Sequence, residues 1–198
     1  MSTGKRKTAE ALRLLVMLFL ILAVRSSLAD HYHVPSGSMQ YTLQEGDRVF
    51  VNKAAYGLRV PFTQWRLTEP GHVARGDVVI VNAPDTGVRL IKRVVAVGGD
   101  RVDLANGTLR INGQWQSIPG TPGTEVIGRH MAYLNLENGG GPNIQGLTVP
   151  EGKLLLLGDH RGNSRDSRYF GLVDEAAVYG HAVAVYYRRS VGLAWRQL

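Results

Sequence analysis

Two serines separated by one glycine, Ser36-Gly37-Ser38, form the first group of residues whose types and spacing could support catalysis. A serine hydroxyl is a poor nucleophile unless a base takes its proton and donors stabilise the oxyanion that forms. Pro35 fixes the entry of the segment and Gly37 permits a tight backbone, so the Ser38 N–H and the Ser36 hydroxyl could face an acyl oxygen. The alternative is a polar turn, which these residues alone favour.

A base for this serine has to come from elsewhere in the chain, and Lys92 is the best candidate. Residues 89–97 predict a strand with Leu90, Lys92 and Val94 on one face. If that face is the inner one, desolvation lowers the lysine pKa by up to ~3–5 units and makes the amine a general base near neutral pH. The alternative is a snorkelling lysine on an edge strand, with Arg93 as its counterpart on the other face. The strand taken alone favours that alternative.

Histidine is the usual partner of a nucleophilic serine, and the chain has six histidines. That arrangement stays open, although none of the six lies in a stretch that looks built for the role. His31 and His33 alternate on one face of an extended segment, as a metal-binding pair would. Because no third ligand follows at a recognisable spacing, the pattern indicates a solvated strand edge. We therefore predict no metal site, and nothing in the sequence calls for a cofactor.

A polar segment at residues 158–171 follows the apolar run at residues 154–157, so it predicts a loop at the end of a buried strand. Asp166 and Arg168 can pair within this loop, and Ser164 can offer a hydroxyl to a neighbour. One interpretation is a hydrogen-bonded surface loop. The other is a loop that orients a base, which is the third-group role that nucleophile–base pairs usually need.

Strand signals dominate the chain after residue 45, where runs of β-branched residues follow Gly-Asp turns. Asn106-Gly107 and Asn112-Gly113 are strong signals for short hairpins. No long amphipathic helix is indicated after residue 30. The sequence predicts a mostly β domain over residues 30–198, with an insertion rich in turns at about residues 100–153.

The first 29 residues predict a membrane segment, because four basic residues accompany an unbroken apolar run at residues 14–24. Eleven residues make only ~16 Å of helix against a bilayer core of ~30 Å, whereas residues 9–29 are long enough if Arg13 and Arg25 snorkel toward opposite interfaces. The alternative is a cleavable signal peptide with a small-x-small site at residues 27–29. Arg25 counts against cleavage. We favour a retained anchor at residues 1–29 with its basic end in the cytoplasm.

Composition narrows the possible partners and chemistry. The absence of cysteine excludes a thiol nucleophile, a disulfide framework and thiolate metal sites. The net charge of +7 suits an anionic membrane surface or nucleic acid. The arginines are scattered rather than gathered in a basic stripe with aromatics, so we predict no nucleic-acid partner. Phe62 and Trp65, in an otherwise polar loop, are expected to contact the headgroup region of a bilayer.

Four motifs in order give the chain its resemblance to a known family. They are Ser36-Gly37-Ser38-Met39 with Thr42-Leu43, Gly46-Asp47, the pair Arg75-Gly76-Asp77 and Ile91-Lys92-Arg93-Val94, and the stretch from Gly158-Asp159 through Asn163-Ser164 to Asp166-Ser167-Arg168. Together they resemble the type I signal peptidases, the membrane-bound Ser-Lys proteases that cut leader peptides from exported proteins. The likeness covers about residues 32–188. It departs from the family at Tyr41, where proline is common, at His160, where asparagine is usual, and at Gly162.

The resemblance implies a fold of coiled antiparallel sheets with a smaller β insertion, of the kind shared by signal peptidases and self-cleaving repressors. It implies that Ser38 attacks the scissile carbonyl and neutral Lys92 accepts its proton. The Ser38 N–H and the Ser36 hydroxyl would form the oxyanion hole, with Ser164 orienting Lys92. Asp166 and Arg168 would hold the loop. The residues expected to contact substrate are Tyr32, Val34, Pro35, Met39, Leu43, Leu90 and Ile91.

The partners implied are the signal peptides of preproteins, cut after Ala-x-Ala-like sites, and a phospholipid bilayer. We expect a monomer with a single-pass anchor in the bacterial inner membrane and its catalytic domain on the periplasmic or extracellular side. A self-cleaving repressor would need a DNA-binding domain, which the sequence does not indicate. Two alternatives stay open: a processing peptidase devoted to one substrate such as a conjugative pilin, and an inactive membrane-tethered binding module of the same fold.

Overall fold

Antiparallel strands are the main regular structure of the chain after residue 28, as the β-branched runs predict. The computed structural model describes residues 3–57, 60, 63, 65, 68 and 71–198. Within these residues the α-helices are α1 (Thr3–Ser27) and the four-residue α2 (Ser167–Phe170). The strands are, in chain order, β1 (Ala29–His33), β2 (Arg48–Asn52), β3 (Val78–Asn82), β4 (Arg89–Ala96), β5 (Arg101–Ala105), β6 (Thr108–Ile111), β7 (Gln114–Trp115), β8 (Thr124–Ile127), β9 (His130–Tyr133), β10 (Ile144–Thr148), β11 (Lys153–Leu157), β12 (Val173–Asp174), β13 (Gly180–Arg188) and β14 (Gly192–Gln197).

The main sheet carries the segments that the sequence marks for chemistry. Its strand order is β1-β2-β13-β3-β4-β11-β12, with β14 paired to β13. A second sheet of order β10-β5-β6-β7 and the hairpin β8-β9 lie between β4 and β11 in the chain. The paired strands in all three are antiparallel. The prediction of a mostly β protein is confirmed.

The two Asn-Gly hairpins form where the sequence predicts them. Asn106 and Gly107 join β5 to β6 with φ of 50° and 82°, and Asn112 and Gly113 join β6 to β7 with φ of 49° and 83°. Positive φ at both turn residues matches the right-handed twist of the flanking strands, and asparagine followed by glycine is the pair that tolerates it best. These local signals set the register of the second sheet.

Strand β4 has an open edge over the residues that precede Arg93. It pairs with β3 from Arg89 to Arg93, but β11 joins its other side only at Arg93, Val94 and Ala96. Within the described chain, residues 89–92 therefore have a strand on one side alone. The Tyr32 hydroxyl reaches this edge from β1 and donates a hydrogen bond of 3.2 Å to the Arg89 carbonyl.

Helix α1 forms at the N-terminus, and many of its apolar side chains are exposed. They are Leu12, Leu14, Leu15, Val16, Met17, Leu18, Phe19, Ile21 and Leu22. No helix among the described residues combines the length and the apolar character needed to cross a membrane. At the end of α1, the Lys53 ammonium donates to the Ser26 carbonyl. Trp65 is 78% exposed, whereas Phe62, the other residue expected to contact lipid, lies outside the described residues.

A buried ion pair joins the β8-β9 hairpin to the polar loop after β11. Arg161 Nη2 lies 2.7 Å from Glu125 Oε2, and neither side chain is exposed beyond 1%. The other Glu125 oxygen accepts the Leu109 N–H at 2.6 Å. Removing one partner of a buried pair leaves an uncompensated charge, whereas removing both leaves none.

We predict that Arg161→Met lowers the free energy of unfolding by ~3–5 kcal/mol, because Glu125 then lies buried without a cation. The double variant Arg161→Met/Glu125→Leu should recover a large part of that loss. Denaturant unfolding of the full-length chain in detergent, followed by circular dichroism, measures both. Equal losses in the single and double variants would show that packing, not charge, is what Arg161 contributes.

Candidate active site

Ser38 lies on a short 3₁₀ turn, Gly37–Met39, whose position is fixed by the buried side chain of Met39. The first N–H groups of such a turn have no acceptor within it, so the Ser38 N–H is available for a ligand. Ser36 precedes the turn with extended backbone, and its hydroxyl makes no capping hydrogen bond. Instead, Ser36 Oγ lies 3.4 Å from Ser38 Oγ. The Ser36 hydroxyl therefore faces the Ser38 side chain instead of stabilising the turn.

Lys92 and Ser38, which are 54 residues apart in the sequence, meet at hydrogen-bond distance. Lys92 Nζ lies 2.7 Å from Ser38 Oγ and 3.1 Å from the Ile91 carbonyl oxygen. The Lys92 residue is only 2% exposed. Leu90 and Val94 pack in one apolar cluster and Ile91 in another, so the predicted alternation along β4 holds. Lys92 is thus a buried lysine and does not snorkel.

Burial sets the protonation of the Lys92 amine. Desolvation is the largest influence and lowers the pKa of Lys92 to about 8. The Asp166 and Asp159 carboxylates act in the opposite direction and raise that pKa, while the Arg168 guanidinium lowers it. The net result is an amine that is partly neutral at physiological pH and close enough to Ser38 to take its proton.

The loop after β11 forms as predicted, and an internal ion pair holds it. Arg168 Nε and Nη2 each lie 2.7 Å from an oxygen of Asp166, and both side chains are buried. Asp166 also accepts the Gly158 N–H at 2.9 Å, which fixes the end of β11. Asp166 begins α2 by accepting the Arg168 N–H, so a helical turn forms within the predicted loop.

Ser164 is buried beside this ion pair, but its expected hydrogen bond to Lys92 is not formed. Its Oγ has no hydrogen-bond partner among the described residues. A side chain at position 158 would collide with Ser164 Oγ and with the Ser38 carbonyl oxygen, which shows how closely these segments approach. Glycine at 158 is therefore required by contact, and Ser164 lies next to the nucleophile segment without touching the amine through a hydrogen bond.

Arg93 is a buried part of the site to which the strand pattern assigned no role. It is 1% exposed, and its Nε and Nη2 bind the two oxygens of Asp159 at 2.9 and 2.8 Å. The same guanidinium donates to the Gly76 carbonyl and to Thr42 Oγ1. Arg93 is therefore no snorkelling counterpart of Lys92. Its position inside an apolar run was the available signal, because a buried arginine requires a carboxylate partner.

Four of the residues expected to contact substrate share one apolar cluster next to the nucleophile turn. Val34, Met39, Leu43 and Ile91 are all buried in it, and Tyr32 packs against it. Pro35 is exposed at the entry to the turn. Leu90 packs in a different cluster, so its side chain does not line the same wall.

No imidazole is hydrogen-bonded to Ser38 Oγ in the described part of the chain. The ring of His160, the histidine nearest in contact, binds Asn138 Oδ1, and only its backbone N–H reaches Ser38, at the carbonyl oxygen. His31 is exposed beside Asp30, as a solvated strand edge would be. Across residues that the structure describes, no three histidine or acidic side chains are grouped to hold a metal ion.

Known proteins with similar sequences point to one family. The chain matches the family described as signal peptidase, peptidase S26, over residues 7–187. It is similar to signal peptidase I of Pseudomonas aeruginosa, with 34% identity over 86% of this chain and 69% of that protein. Signal peptidase I of Bacillus amyloliquefaciens is 32% identical over 88% of this chain and 82% of its own length. Signal peptidase IB of Staphylococcus aureus is 32% identical over 89% and 87%.

The buried amine should make stability depend on pH in a defined window. The folded chain releases the Lys92 proton at about pH 8, whereas the unfolded chain releases it at about 10.5. Between these values the unfolded state binds more protons, so the free energy of unfolding rises with pH in this window. Below pH 8 both states are protonated, and the folded state bears the full cost of burying the charged amine. The stability lost below pH 8 is on the order of 3 kcal/mol.

We predict that Lys92→Met is more stable than the wild type at pH 7 and that the difference narrows toward pH 10. Each kcal/mol corresponds to roughly 2–4 °C in the unfolding midpoint of a chain of this size. Thermal unfolding at both pH values measures the effect, with Lys153→Met, a half-exposed lysine paired with Asp174, as the control. A parallel pH dependence in wild type and Lys92→Met would contradict the prediction.

Proposed function

The chain belongs to the signal peptidase family, peptidase S26, and we propose that it cleaves with Ser38 as nucleophile and Lys92 as base. It is a serine endopeptidase that removes signal peptides from preproteins. The observation that carries the proposal is the 2.7 Å distance between Ser38 Oγ and the amine of a lysine that is 2% exposed. A desolvated lysine with a pKa of about 8 suits general-base catalysis.

In the proposed reaction, neutral Lys92 accepts the Ser38 proton while Ser38 Oγ attacks the scissile carbonyl carbon. The tetrahedral intermediate collapses as the C–N bond breaks, and Lys92 passes the proton to the leaving amine of the mature protein. The signal peptide is left as an ester on Ser38. A water molecule then gives a proton to Lys92 and attacks the ester carbon. As the bond from that carbon to Ser38 Oγ breaks, Lys92 returns the proton to Oγ, which restores Ser38 and releases the signal peptide as an acid.

The Ser38 N–H and the Ser36 hydroxyl are the proposed oxyanion donors. Ser36 Oγ lies 3.4 Å from Ser38 Oγ and makes no capping bond, so it is free to turn toward the developing charge. A donor that faces the oxyanion contributes mainly in the transition state. Ser164 is buried against the Ser38 segment but makes no hydrogen bond to the Lys92 amine, so the proposed site does not rely on its hydroxyl. Asp166 and Arg168 hold that loop in place.

The proposed substrate path is the gap between two open strand edges. β1 pairs with β2 alone within the described residues, and residues 89–92 of β4 pair with β3 alone. An extended signal peptide can therefore add as a strand, with main-chain hydrogen bonds to both edges. Tyr32, which already spans the gap to the Arg89 carbonyl, marks its width.

The side chain before the cleaved bond would meet the wall formed by Val34, Met39, Leu43 and Ile91. These four side chains are packed against one another in a buried cluster. Close-packed walls do not yield readily to a large side chain, so the site should prefer alanine-like residues. This supports cleavage after small-x-small sequences.

Attachment to the bilayer is proposed through α1 and a neighbouring aromatic surface. The exposed apolar side chains of α1 follow the basic residues Lys5, Arg6 and Lys7, which favour the cytoplasmic side. α1 would then be a single-pass anchor in the bacterial inner membrane, with the catalytic domain on the outer side. Because Ser38 and Lys92 come from one chain, a monomer is sufficient.

The aromatic surface lies where the chain leaves α1. Trp195 on β14 is 66% exposed and lies 6.4 Å from the Phe50 ring, and the two line a groove with Ala29 and Tyr186. Leu193 is exposed on the same face of β14. Aromatic side chains favour the headgroup region, so this surface would rest on the bilayer next to the anchor.

We predict that Ser38→Ala and Lys92→Ala abolish cleavage while the protein stays folded. Ser36→Ala should lower kcat by ~10²–10³ with little change in KM, since its bond forms mainly in the transition state. The assay incubates detergent-solubilised full-length protein with a preprotein that carries an Ala-x-Ala site. In the wild type, kcat/KM should rise with pH through about 8 as Lys92 loses its proton.

Two outcomes would contradict the dyad. Near wild-type turnover in Lys92→Ala would assign the base to another residue, and inactivation that tracks chemical modification of histidine would point to an imidazole. For Ser36, a full rate in Ser36→Ala, or Ser36→Thr no better than alanine, would remove its hydroxyl from the oxyanion hole. Unfolding midpoints of all variants separate lost chemistry from lost structure.

We predict that Trp195 and Trp65 lie at the bilayer surface and Trp115 does not. Trp115, on β7 of the second sheet, is 54% exposed and serves as the matched control. Three full-length variants, each with one tryptophan and phenylalanine at the other two positions, are reconstituted in vesicles with brominated phospholipid. Bromine should quench Trp195 and Trp65 more strongly than Trp115. Equal quenching of Trp195 and Trp115 would place the aromatic surface away from the lipid.

A further inference from the structure

We infer that His160 is a positioning residue, which fixes the Ser38 backbone and is itself fixed through its ring by Asn138. Because Ser38 is the proposed nucleophile, this role for His160 rests on the proposed function. His160 lies in the polar loop after β11, and its ring is hydrogen-bonded to Asn138 and not to Ser38 Oγ. It therefore acts through Ser38 and is no candidate for the base.

The first contact is between backbones. The His160 N–H donates to the Ser38 carbonyl oxygen at 3.1 Å. That carbonyl and the Ser38 side chain are attached to the same Cα, so fixing the carbonyl restricts the direction in which Oγ points. Gly158 packs against the same carbonyl at a distance that excludes any side chain at position 158. The orientation of Ser38 thus depends on where the backbone of residues 158–160 lies.

The second contact fixes the His160 ring. The residue is 5% exposed, and Nε2 lies 2.8 Å from Asn138 Oδ1, which assigns the ring proton to Nε2 as the donor. The other ring nitrogen, Nδ1, is buried and has no hydrogen-bond partner among the described residues. Among the described residues, the contact with Asn138 is therefore the one polar interaction that holds the imidazole. Losing the Asn138 contact would leave the orientation of the His160 ring without a hydrogen bond to fix it.

Asn138 is well placed to hold the ring, because its own loop is fixed on both sides. The Asn135 N–H donates to the Asp159 carbonyl, and the Arg161 N–H donates to the Asn135 carbonyl, each at 3.0 Å. On the other side of Asn138, Arg168 Nη1 donates to the Gly140 carbonyl at 2.8 Å. The chain from Asn138 to His160 to Ser38 therefore connects an anchored loop to the nucleophile.

The experiment compares two replacements of the ring. His160→Leu keeps much of the volume and the backbone N–H but removes the donor, whereas His160→Gln places an amide N–H near the position of Nε2. We expect His160→Leu to lower kcat by ~10- to 10²-fold with KM within about twofold, since a misplacement of about 1 Å has an effect of that size. His160→Gln should restore kcat to within a few-fold of the wild type.

Asn138→Ala tests the same connection from an exposed residue whose loss should leave the fold intact. It should lower kcat as His160→Leu does, and the double variant should lose little more than either, because both break one interaction. The matched control is His181→Leu. This variant removes a half-buried ring that packs on Tyr56 and makes no hydrogen bond or ring contact with the Gly37–Met39 turn. It should lower the unfolding midpoint without changing kcat.

Wild-type kcat in His160→Leu, or equal kcat in His160→Leu and His160→Gln, would overturn the positioning role. Additive losses of kcat in the double variant would also overturn it. The role would fail too if kcat fell in parallel with the unfolding midpoint in both His181→Leu and His160→Leu. Ser38→Ala separates this from failure of the proposed function. If Ser38→Ala still turns over, the nucleophile is wrong; if it is inactive while His160→Leu is fully active, only the role of His160 fails.

Discussion

Burial of the Lys92 amine against Ser38 is the interaction on which the rest of the site depends, and it works because the surrounding charges are already paired. Two carboxylates near the amine, Asp159 and Asp166, would by themselves raise its pKa. Each is bound in two-point contact by an arginine, Asp159 by Arg93 and Asp166 by Arg168. Because both carboxylates are neutralised within buried ion pairs, desolvation outweighs their effect on the amine. The pKa of Lys92 is therefore lowered to about 8 from its ordinary value of 10.5.

The region between β4 and β11 is part of the same arrangement. Arg161 binds Glu125 on β8, and Arg168 reaches the Gly140 carbonyl. The polar loop after β11 is thus bound both to the end of β11 in the main sheet and to segments that lie between β4 and β11 in the chain. Truncating that region would remove the partner of a buried arginine, so the catalytic loop and the inserted strands form one stable unit.

The sequence predicted what short-range physics controls. The Asn-Gly turns and the alternation along β4 follow from neighbours within a few residues. The strand alone favoured a snorkelling Lys92, and only the family resemblance implied a neutral one. It did not predict interactions between distant segments. Arg93 and Asp159 are 66 residues apart, so the strand pattern assigned Arg93 no role in the site. The Ser164 contact failed for the same reason, since hydroxyl orientation depends on packing that the loop sequence does not encode. The β13–β14 hairpin that presents Trp195 also lacked a local signal for its last strand.

The pairing of β4 is consistent with the position of Lys92, the proposed base, along the strand. β11 covers one edge of β4 from Arg93 onward, and residues 89–92 are left without a strand on that side in the described chain. A peptide that adds to this edge can extend only until β11 begins. Lys92 is the last residue of the open stretch, so the proposed peptide strand must end or turn beside the amine and Ser38. In this proposal the cleaved bond lies at the boundary between the open and the covered edge, where only one position along the peptide would meet Ser38.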